Sequence, residues 1–161
     1  SLNRLHAHHR LKQAADLVAV RLSSGRVHAL ESGMIYQFRY EPGGRRFLLV
    51  PFDPESPQVT SGEAGTERAR RKVGKLPDTC RFEGGDSFND KGTAIPDEWL
   101  SGLPDASDYL GGLWSDPVLF HPDGTATTFE VIIRGRKNAE QVKLSLRGLT
   151  GAVTISSVEG G

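Results

Sequence analysis

Three histidines near the start of the chain, His6, His8 and His9, are residue types that could bind a metal ion. A zinc site needs three or four ligands, and ligands on one helix must be three or four residues apart to share a face. That spacing joins His6 to Arg10 and His9 to Gln13, and no acidic residue is adjacent. We therefore interpret these histidines as solvated side chains and predict no metal site on this segment.

A second candidate metal site combines Asp86, Asn89, Asp90 and Gly92, which are residue types found in calcium-binding loops. Such a loop needs oxygen ligands at alternate positions and a bidentate glutamate at its end. Phe88 occupies a position that requires an oxygen ligand, and no glutamate follows at the right distance. The pattern favours an irregular loop over a calcium site.

Nucleophilic catalysis would require an activated serine or cysteine. The sequence contains no Gly-x-Ser-x-Gly elbow, which would present a serine at a sharp strand-to-helix turn. Cys80 is the single cysteine, so it has no partner for an internal disulfide or a zinc-type pair. It lies in a predicted strand, where a small buried side chain is the better interpretation. We predict no catalytic residue, no cofactor and no enzymatic activity.

The formal charge of the 161 residues is zero, which argues against a nucleic-acid module held by phosphate contacts. The charge is nevertheless uneven along the chain. Residues 1–81 contain 14 Lys and Arg against 8 Asp and Glu, whereas residues 82–161 contain 6 against 12, so the halves carry +6 and −6. The partition is either chance or a sign of complementary ends that favour ordered stacking.

Residues 53–78 combine three prolines, small polar residues and a basic cluster of Arg68, Arg70, Arg71 and Lys72. Because little apolar surface is available to offset the entropy of ordering, we predict a long mobile loop. Four cations in five residues could bind an acidic lipid surface or another subunit. Apolar neighbours that would insert into a membrane are missing, so a solvated loop is favoured.

The amino-terminal element is predicted to be a helix over residues 1–32. The segment lacks proline, and small or apolar residues recur at alternating spacings of four and three, which is one stripe of a helix. Gly33 accepts the left-handed conformation that ends a helix, so the helix should stop near Ser32. The predicted core stripe consists of Leu11, Ala15, Val18, Leu22 and Ala29.

A second, thinner apolar row on the same helix contains Leu2, Leu5, Val20, Val27 and Leu30, of which the first four are the predicted interface residues. The core stripe becomes polar upstream of Arg10, so we expect Leu2 and Leu5 to be largely exposed. We predict that the monomer leaves this row partly open and that it forms an interface with partner subunits.

The rest of the chain predicts mainly β structure. Residues 33–52 alternate apolar and polar types around a Pro-Gly-Gly turn, with Pro51 ending the second strand, which is a hairpin pattern. Residues 53–116 form an irregular insertion with Trp99 and Trp114 as packing anchors, and residues 117–159 form a carboxy-terminal β-meander with one solvated face. We predict a single α+β domain over residues 1–161, with the long helix packed against antiparallel sheets.

Several of these segments resemble one protein family. The run Arg26-Val-His-Ala-Leu-Glu-Ser-Gly33, followed by Tyr36-Gln-Phe-Arg-Tyr40 and the Pro42-Gly-Gly44 turn, resembles the head of an H-type minor pseudopilin of type II secretion or a related minor type IV pilin. The Phe120-His-Pro-Asp-Gly-Thr125 hairpin and the Leu146-Arg-Gly-Leu-Thr-Gly151 turn are similar to the family's carboxy-terminal sheet. The likeness covers residues 2–52 and 117–158.

The resemblance implies a pilin-like fold and a structural role in a secretion pseudopilus or pilus-like filament. The implied partners are other pseudopilin or pilin subunits, with no nucleic acid. The family's prepilin cleavage site and apolar helix, with a glutamate at its fifth mature position, are expected before Ser1. They would anchor the protein in the inner membrane with its head on the periplasmic side, and residues 1–161 would be the soluble head.

A different class of function stays open on the sequence alone. An extracellular β-rich module that binds a carbohydrate or surface ligand would use exposed aromatic side chains. Tyr36, Tyr40, Trp99 and Trp114 are the candidates for that recognition surface.

Overall fold

The computed structural model describes residues 2–52, 70–84, 92–135 and 140–159. Its first element is helix α1, Leu2–Ser32. The helix ends as predicted, because Gly33 has φ of 72° and its N–H donates to the Ala29 carbonyl at 3.0 Å. That positive φ is the left-handed conformation in which glycine meets no steric penalty. None of the described helices is long and apolar enough to cross a membrane.

Within those ranges, eight strands form two four-stranded antiparallel sheets, which confirms the predicted α+β class. The first sheet has the order β3-β2-β1-β5, with β1 Ile35–Tyr40, β2 Arg46–Phe52, β3 Lys72–Lys75 and β5 Val118–Phe120. The second sheet has the order β4-β6-β7-β8, with β4 Arg81–Phe82, β6 Phe129–Arg134, β7 Glu140–Leu146 and β8 Val153–Glu159. The predicted hairpin is the β1–β2 pair, in register from Ile35 opposite Phe52 to Tyr40 opposite Phe47.

The main core lies between α1 and one face of both sheets. All five residues of the predicted stripe are at most 5% exposed, and they pack with Tyr36, Phe38, Phe47 and Leu49 of the first sheet and with Val131, Ile133, Val142 and Leu144 of the second. Gly25, on the same side of the helix, lies so close to Phe120 that a Cβ would come within 2.7 Å of the ring. A glycine in mid-helix therefore lets α1 approach β5 closely.

Two strand predictions were wrong in detail. β2 does not end at Pro51 but runs to Phe52, with Pro51 opposite Tyr36. β3 pairs with β2 only from Arg46 to Leu49 and therefore not at Pro51. Proline, which lacks a backbone N–H, is tolerated at such a strand edge because no N–H is needed for pairing there. β5 belongs to the hairpin's sheet through β1 and not to the meander, which consists of β6, β7 and β8.

The described end of the predicted mobile loop, residues 70–78, is instead packed against the first sheet. Residues 53–69 lie outside the described part of the chain, but Lys72–Lys75 form β3 against β2. Arg71 is 6% exposed and donates to the carbonyls of Trp99 at 2.8 Å and Ser101 at 3.0 Å. Three cations in succession are typical of a solvated surface, so the sequence did not predict that the middle one is buried against Trp99 and Ser101.

Residues 92–116, here called the strap, cover the other face of the first sheet. The strap has no strand but includes two 3₁₀ helices, Asp97–Leu100 and Ala106–Tyr109. A second, smaller core forms where it meets Leu48 and Val50 of β2. Its strap residues are Trp99, Leu100, Tyr109 and Trp114. The two tryptophans are thus buried packing anchors, at 5% and 1% exposure.

Cationic side chains of the first sheet contact the strap and help to hold it against the sheet. Arg39, in β1, lies over the Trp99 ring at 5.4 Å and donates to the Ser115 carbonyl at 3.1 Å. In β3, the Lys75 ammonium lies 5.5 Å from the Tyr109 ring. Each contact pairs a positive charge with the negative face of an aromatic ring.

Candidate functional site on helix α1

Exposed apolar side chains lie on the face of α1 that points away from the core. Leu5 is 68% exposed, Val20 63% and Val27 46%. Leu2 belongs to the helix, but its side chain is outside the described part of the structure. Leu30, also in the predicted row, is 45% exposed, and one further exposed residue, Leu17, extends this apolar surface. The described members of the predicted interface row are therefore open to solvent in the monomer.

Helix geometry explains the separation of this row from the core. Val20 and Val27 are seven residues apart, which is about two turns, so they lie on one side of α1. Val18 and Leu22 flank Val20 in sequence and face the sheets with 0% exposure. Substitution on the row can therefore change the surface without opening the core.

Small side chains surround the two valines. A shallow open depression of about 490 Å³ is lined by Ala19, Val20, Ser23, Ser24, Val27, His28 and Val153. The Ser24 hydroxyl donates to the Val20 carbonyl at 2.9 Å, so this polar group is satisfied within the helix. Small side chains whose polar groups are hydrogen-bonded within the helix allow the backbone of another helix to approach closely. Helices can pack together through such a surface without any catalytic group.

His28 lies at the border of the depression. Its ring centroid lies 5.5 Å from that of Tyr36. Burial lowers the pKa of His28, and the positive charges of Arg70, Lys72 and Arg21 lower it further against the opposing effect of Glu31. The imidazole is therefore neutral at pH 7, and it serves as part of the packing against β1.

The amino-terminal histidines lie apart from any described group of metal-binding side chains. His6, His8 and His9 are exposed, and His8 Nδ1 lies 3.9 Å from the Glu140 carboxylate. Across the described ranges, no group of three or more His, Cys, Asp or Glu side chains could hold a metal ion. The candidate calcium residues Asp86, Asn89 and Asp90 lie outside those ranges.

Cys80 is 1% exposed and belongs to the main core. Burial raises the pKa of its thiol, against the opposing hydrogen bond from Thr79. A raised pKa leaves less of the reactive thiolate at neutral pH. Its environment is that of a small core side chain.

The aromatic residues considered for a ligand-binding surface are mostly inside the protein. Tyr36 is 0% exposed, Trp99 5% and Trp114 1%, while Tyr40 is half-buried. Three of the four therefore have no face to offer a carbohydrate. The prediction of a binding surface built on these residues was wrong, because strap and helix cover both faces of the first sheet.

Comparison with known proteins identifies the fold. No family model matches the chain, and no curated protein matches it in sequence. Two solved structures of the minor pseudopilin EpsH from the type II secretion system of Vibrio cholerae are similar to it, each with a TM-score of 0.54. One has 16% identity over 92% of this chain and the other 17% over 94%, and both matches cover 97% of the EpsH chain. The predicted pilin-like fold, one amino-terminal helix with antiparallel sheets, is confirmed.

Proposed function

We propose that this chain is the periplasmic head of a minor pseudopilin that acts by assembly into a type II secretion pseudopilus or a related pilus-like filament. The observation that carries the proposal is the exposed row Leu5, Val20 and Val27 on the face of α1 opposite the core. The shared fold with the EpsH structures supports the same role. An apolar helix face left open by the monomer is a surface for another helix.

In this proposal α1 is the lower part of a stem that continues upstream as an apolar helix in the inner membrane. Stems of neighbouring pseudopilins pack along the row, and each apolar side chain covered there adds about 1 to 2 kcal/mol when only part of its surface is removed from water. The protein has partners rather than substrates, and it needs no cofactor. Residues encoded before Ser1 should supply about 20 apolar residues after a charged leader that ends in glycine.

Acidic substitution of the row tests this role in the complete gene product in its natural host. Leu5→Asp with Val27→Asp places two charges on the interface without touching the buried stripe. We expect the double variant to lose incorporation into the filament and protein secretion. The head should keep the circular dichroism spectrum and melting temperature of the wild type.

The matched control introduces the same charges on exposed apolar residues elsewhere. Leu149→Asp with Leu113→Asp alters side chains that are 87% and 48% exposed and lie between β7 and β8 and in the strap. The control should assemble and secrete. Normal secretion by the Leu5 and Val27 double variant would remove the row from the mechanism.

A further inference from the structure

Among the described residues the two sheets end in four edge strands, and β8 is the longest of them. It pairs with β7 over all seven of its residues, whereas β3, β4 and β5 have four, two and three residues. Proteins commonly protect an edge with lysine, proline or a bulge, because its unpaired N–H and C=O groups attract other strands. β3 begins and ends in lysine, and Pro117 precedes β5. β8, with the sequence Val-Thr-Ile-Ser-Ser-Val-Glu and an uninterrupted register, has none of these protections.

The hydrogen-bond pattern shows which groups of β8 are available for another strand. The Arg147 N–H donates to the Ala152 carbonyl at 2.9 Å, and from there bonded and non-bonded residue pairs alternate along an antiparallel ladder. Thr154 and Ser156 are therefore bonded to β7. The residues between and beside them direct their N–H and C=O groups away from β7 and are here called the open edge. The open edge consists of Val153, Ile155 and Ser157.

The side chains of the open edge lie on the helix side of the second sheet. Val153 is opposite Leu146, and both pack with the main core. Ile155 is opposite the buried Leu144, and opposite residues share a face of the sheet. Val153 also lines the depression that Val20 borders on α1, and Ile155 is 44% exposed. A strand added to the open edge would therefore place every second side chain beside apolar surface of β8 and α1.

This surface has no formal charge. The residues that line the depression are apolar or small except His28, and burial lowers the pKa of His28 so that it is neutral at pH 7. The open edge itself contributes valine, isoleucine and serine. A charged group placed here would lose its hydration without gaining a partner. The hydrogen-bonding groups thus require an extended backbone, and the side chains around them require an uncharged, apolar sequence.

We propose that β8 receives an extended segment of a neighbouring subunit, which adds antiparallel as a fifth strand of the second sheet and places apolar side chains at alternate positions toward α1. Main-chain hydrogen bonds to the open edge hold the segment, and the depression selects its apolar side chains. The source of the segment rests on the proposed function, since a filament brings subunits together. Its chemistry rests on β8 and the depression.

The β8 strand of a second copy fits this site poorly. Antiparallel pairing of two β8 strands along their full length would pair the acidic residue Glu159 of one copy with Val153 of the other. The two-fold axis of such a pair would also turn the two α1 helices antiparallel, which opposes anchoring of both in one membrane. The added segment therefore differs from β8 in sequence.

Amide-resolved hydrogen exchange, measured by NMR on the 161-residue chain, tests the proposal. The probe is a capped heptapeptide of alternating threonine and valine. Its matched control has the same side chains but N-methyl groups on the valine amides, which are the donors that would face the open edge. At saturation the first peptide should slow exchange at the open edge at least about tenfold, and the N-methylated peptide should not. Absence of binding up to about 1 mM, or equal protection by both peptides, would overturn the proposal.

Proline at position 155 tests the same edge from the protein's side. Ile155→Pro removes an N–H that points to the open edge and no hydrogen bond to β7, so the head should keep its fold and melting temperature. Ile155→Ala is the matched control because it shortens the side chain but keeps the N–H. Ile155→Pro should lose the peptide's protection at Ser157, and Ile155→Ala should retain it. Equal binding by both variants would contradict pairing at this edge.

The complete gene product in its natural host separates this proposal from the proposed function. Ile155→Pro should impair filament assembly and secretion, whereas Ile155→Ala should not. Normal secretion by Ile155→Pro would overturn a neighbouring subunit as the source of the segment. The proposed function would still be judged by the Leu5 and Val27 double variant, whose substitutions leave β8 unchanged.

Discussion

The guanidinium of Arg46 lies over the indole ring of Trp114, 4.9 Å from the ring centroid. The same group binds the Glu41 carboxylate at 2.7 Å and donates to the carbonyls of Leu110 and Gly111. One side chain of β2 thus connects the first sheet, the hairpin turn and the carboxy-terminal end of the strap.

Arg46→Met should loosen the strap because it removes the cation–π contact and every hydrogen bond of the guanidinium. We expect a loss of about 1 to 3 kcal/mol in the free energy of unfolding, measured by urea titration, with a red shift of Trp114 fluorescence. Arg45→Met is the matched control, since Arg45 binds Leu76 and Asp78 but no ring. Equal fluorescence shifts in both variants would contradict the role given to Arg46.

Stability should depend on pH through Glu41. Burial works to raise the pKa of this carboxyl, but the hydrogen bond and charge of Arg46 outweigh it and hold the pKa below its ordinary value. A depressed carboxyl pKa adds stability above the unfolded value of about 4.3 and loses it as the pH falls through the folded value. Urea unfolding between about pH 6 and pH 3 should show this decline, and Glu41→Gln should flatten it. An unchanged slope in Glu41→Gln would assign the decline to other carboxylates.

Leu22→Ala should cost about 2 to 5 kcal/mol of unfolding free energy, because the side chain is fully buried in the main core. Val20→Ala, two residues away on the exposed row, should stay within about 0.5 kcal/mol of the wild type. Thermal or urea unfolding of the two variants measures the contrast directly. Similar losses in both would mean that the row is not free in the monomer.

Gly25→Ala should destabilise the protein although alanine is the better helix former. The added Cβ would come within 2.7 Å of Phe120, and such overpacking costs about 1 to 3 kcal/mol against a helix-propensity gain of about 1 kcal/mol. Adding Phe120→Leu should recover part of the loss by making room. A single Gly25→Ala variant with a raised melting temperature would show that the core yields at this point.

Local patterns determined which parts of the fold were predictable. The helix stripe from Leu11 to Ala29, the stop at Gly33 and the β1–β2 hairpin depend on neighbours in sequence, and all three are present. The strap was missed because Gln37 and Arg39 look like the solvated positions of an amphipathic strand, yet they are 0% and 9% exposed. That face is covered by Trp99 and Ser115, which follow Gln37 and Arg39 in the sequence by some 60 to 80 residues.

The candidate surface residues also divide into those that a local sequence pattern predicts and those that depend on distant segments. Exposure of Val20 and Val27 followed from their spacing relative to the core stripe, since one helix holds both sets. The burial of Arg71 against the carbonyls of Trp99 and Ser101 joins segments some 30 residues apart, and no local pattern places them together. Pairing between distant segments is decided by the packing of the whole chain.

The two sheets are interleaved along the chain, since β4 of the second sheet and the strap both precede β5, which completes the first. Neither sheet is therefore a contiguous stretch of polypeptide that could fold while the other is still being made. Most of the contacts that complete the two sheets join residues that are distant in sequence. Such a topology slows folding to the millisecond-to-second range. A chain emerging from a ribosome or a translocation channel would remain an open, protease-sensitive polymer until almost its last residues had appeared, and would then fold in one cooperative step.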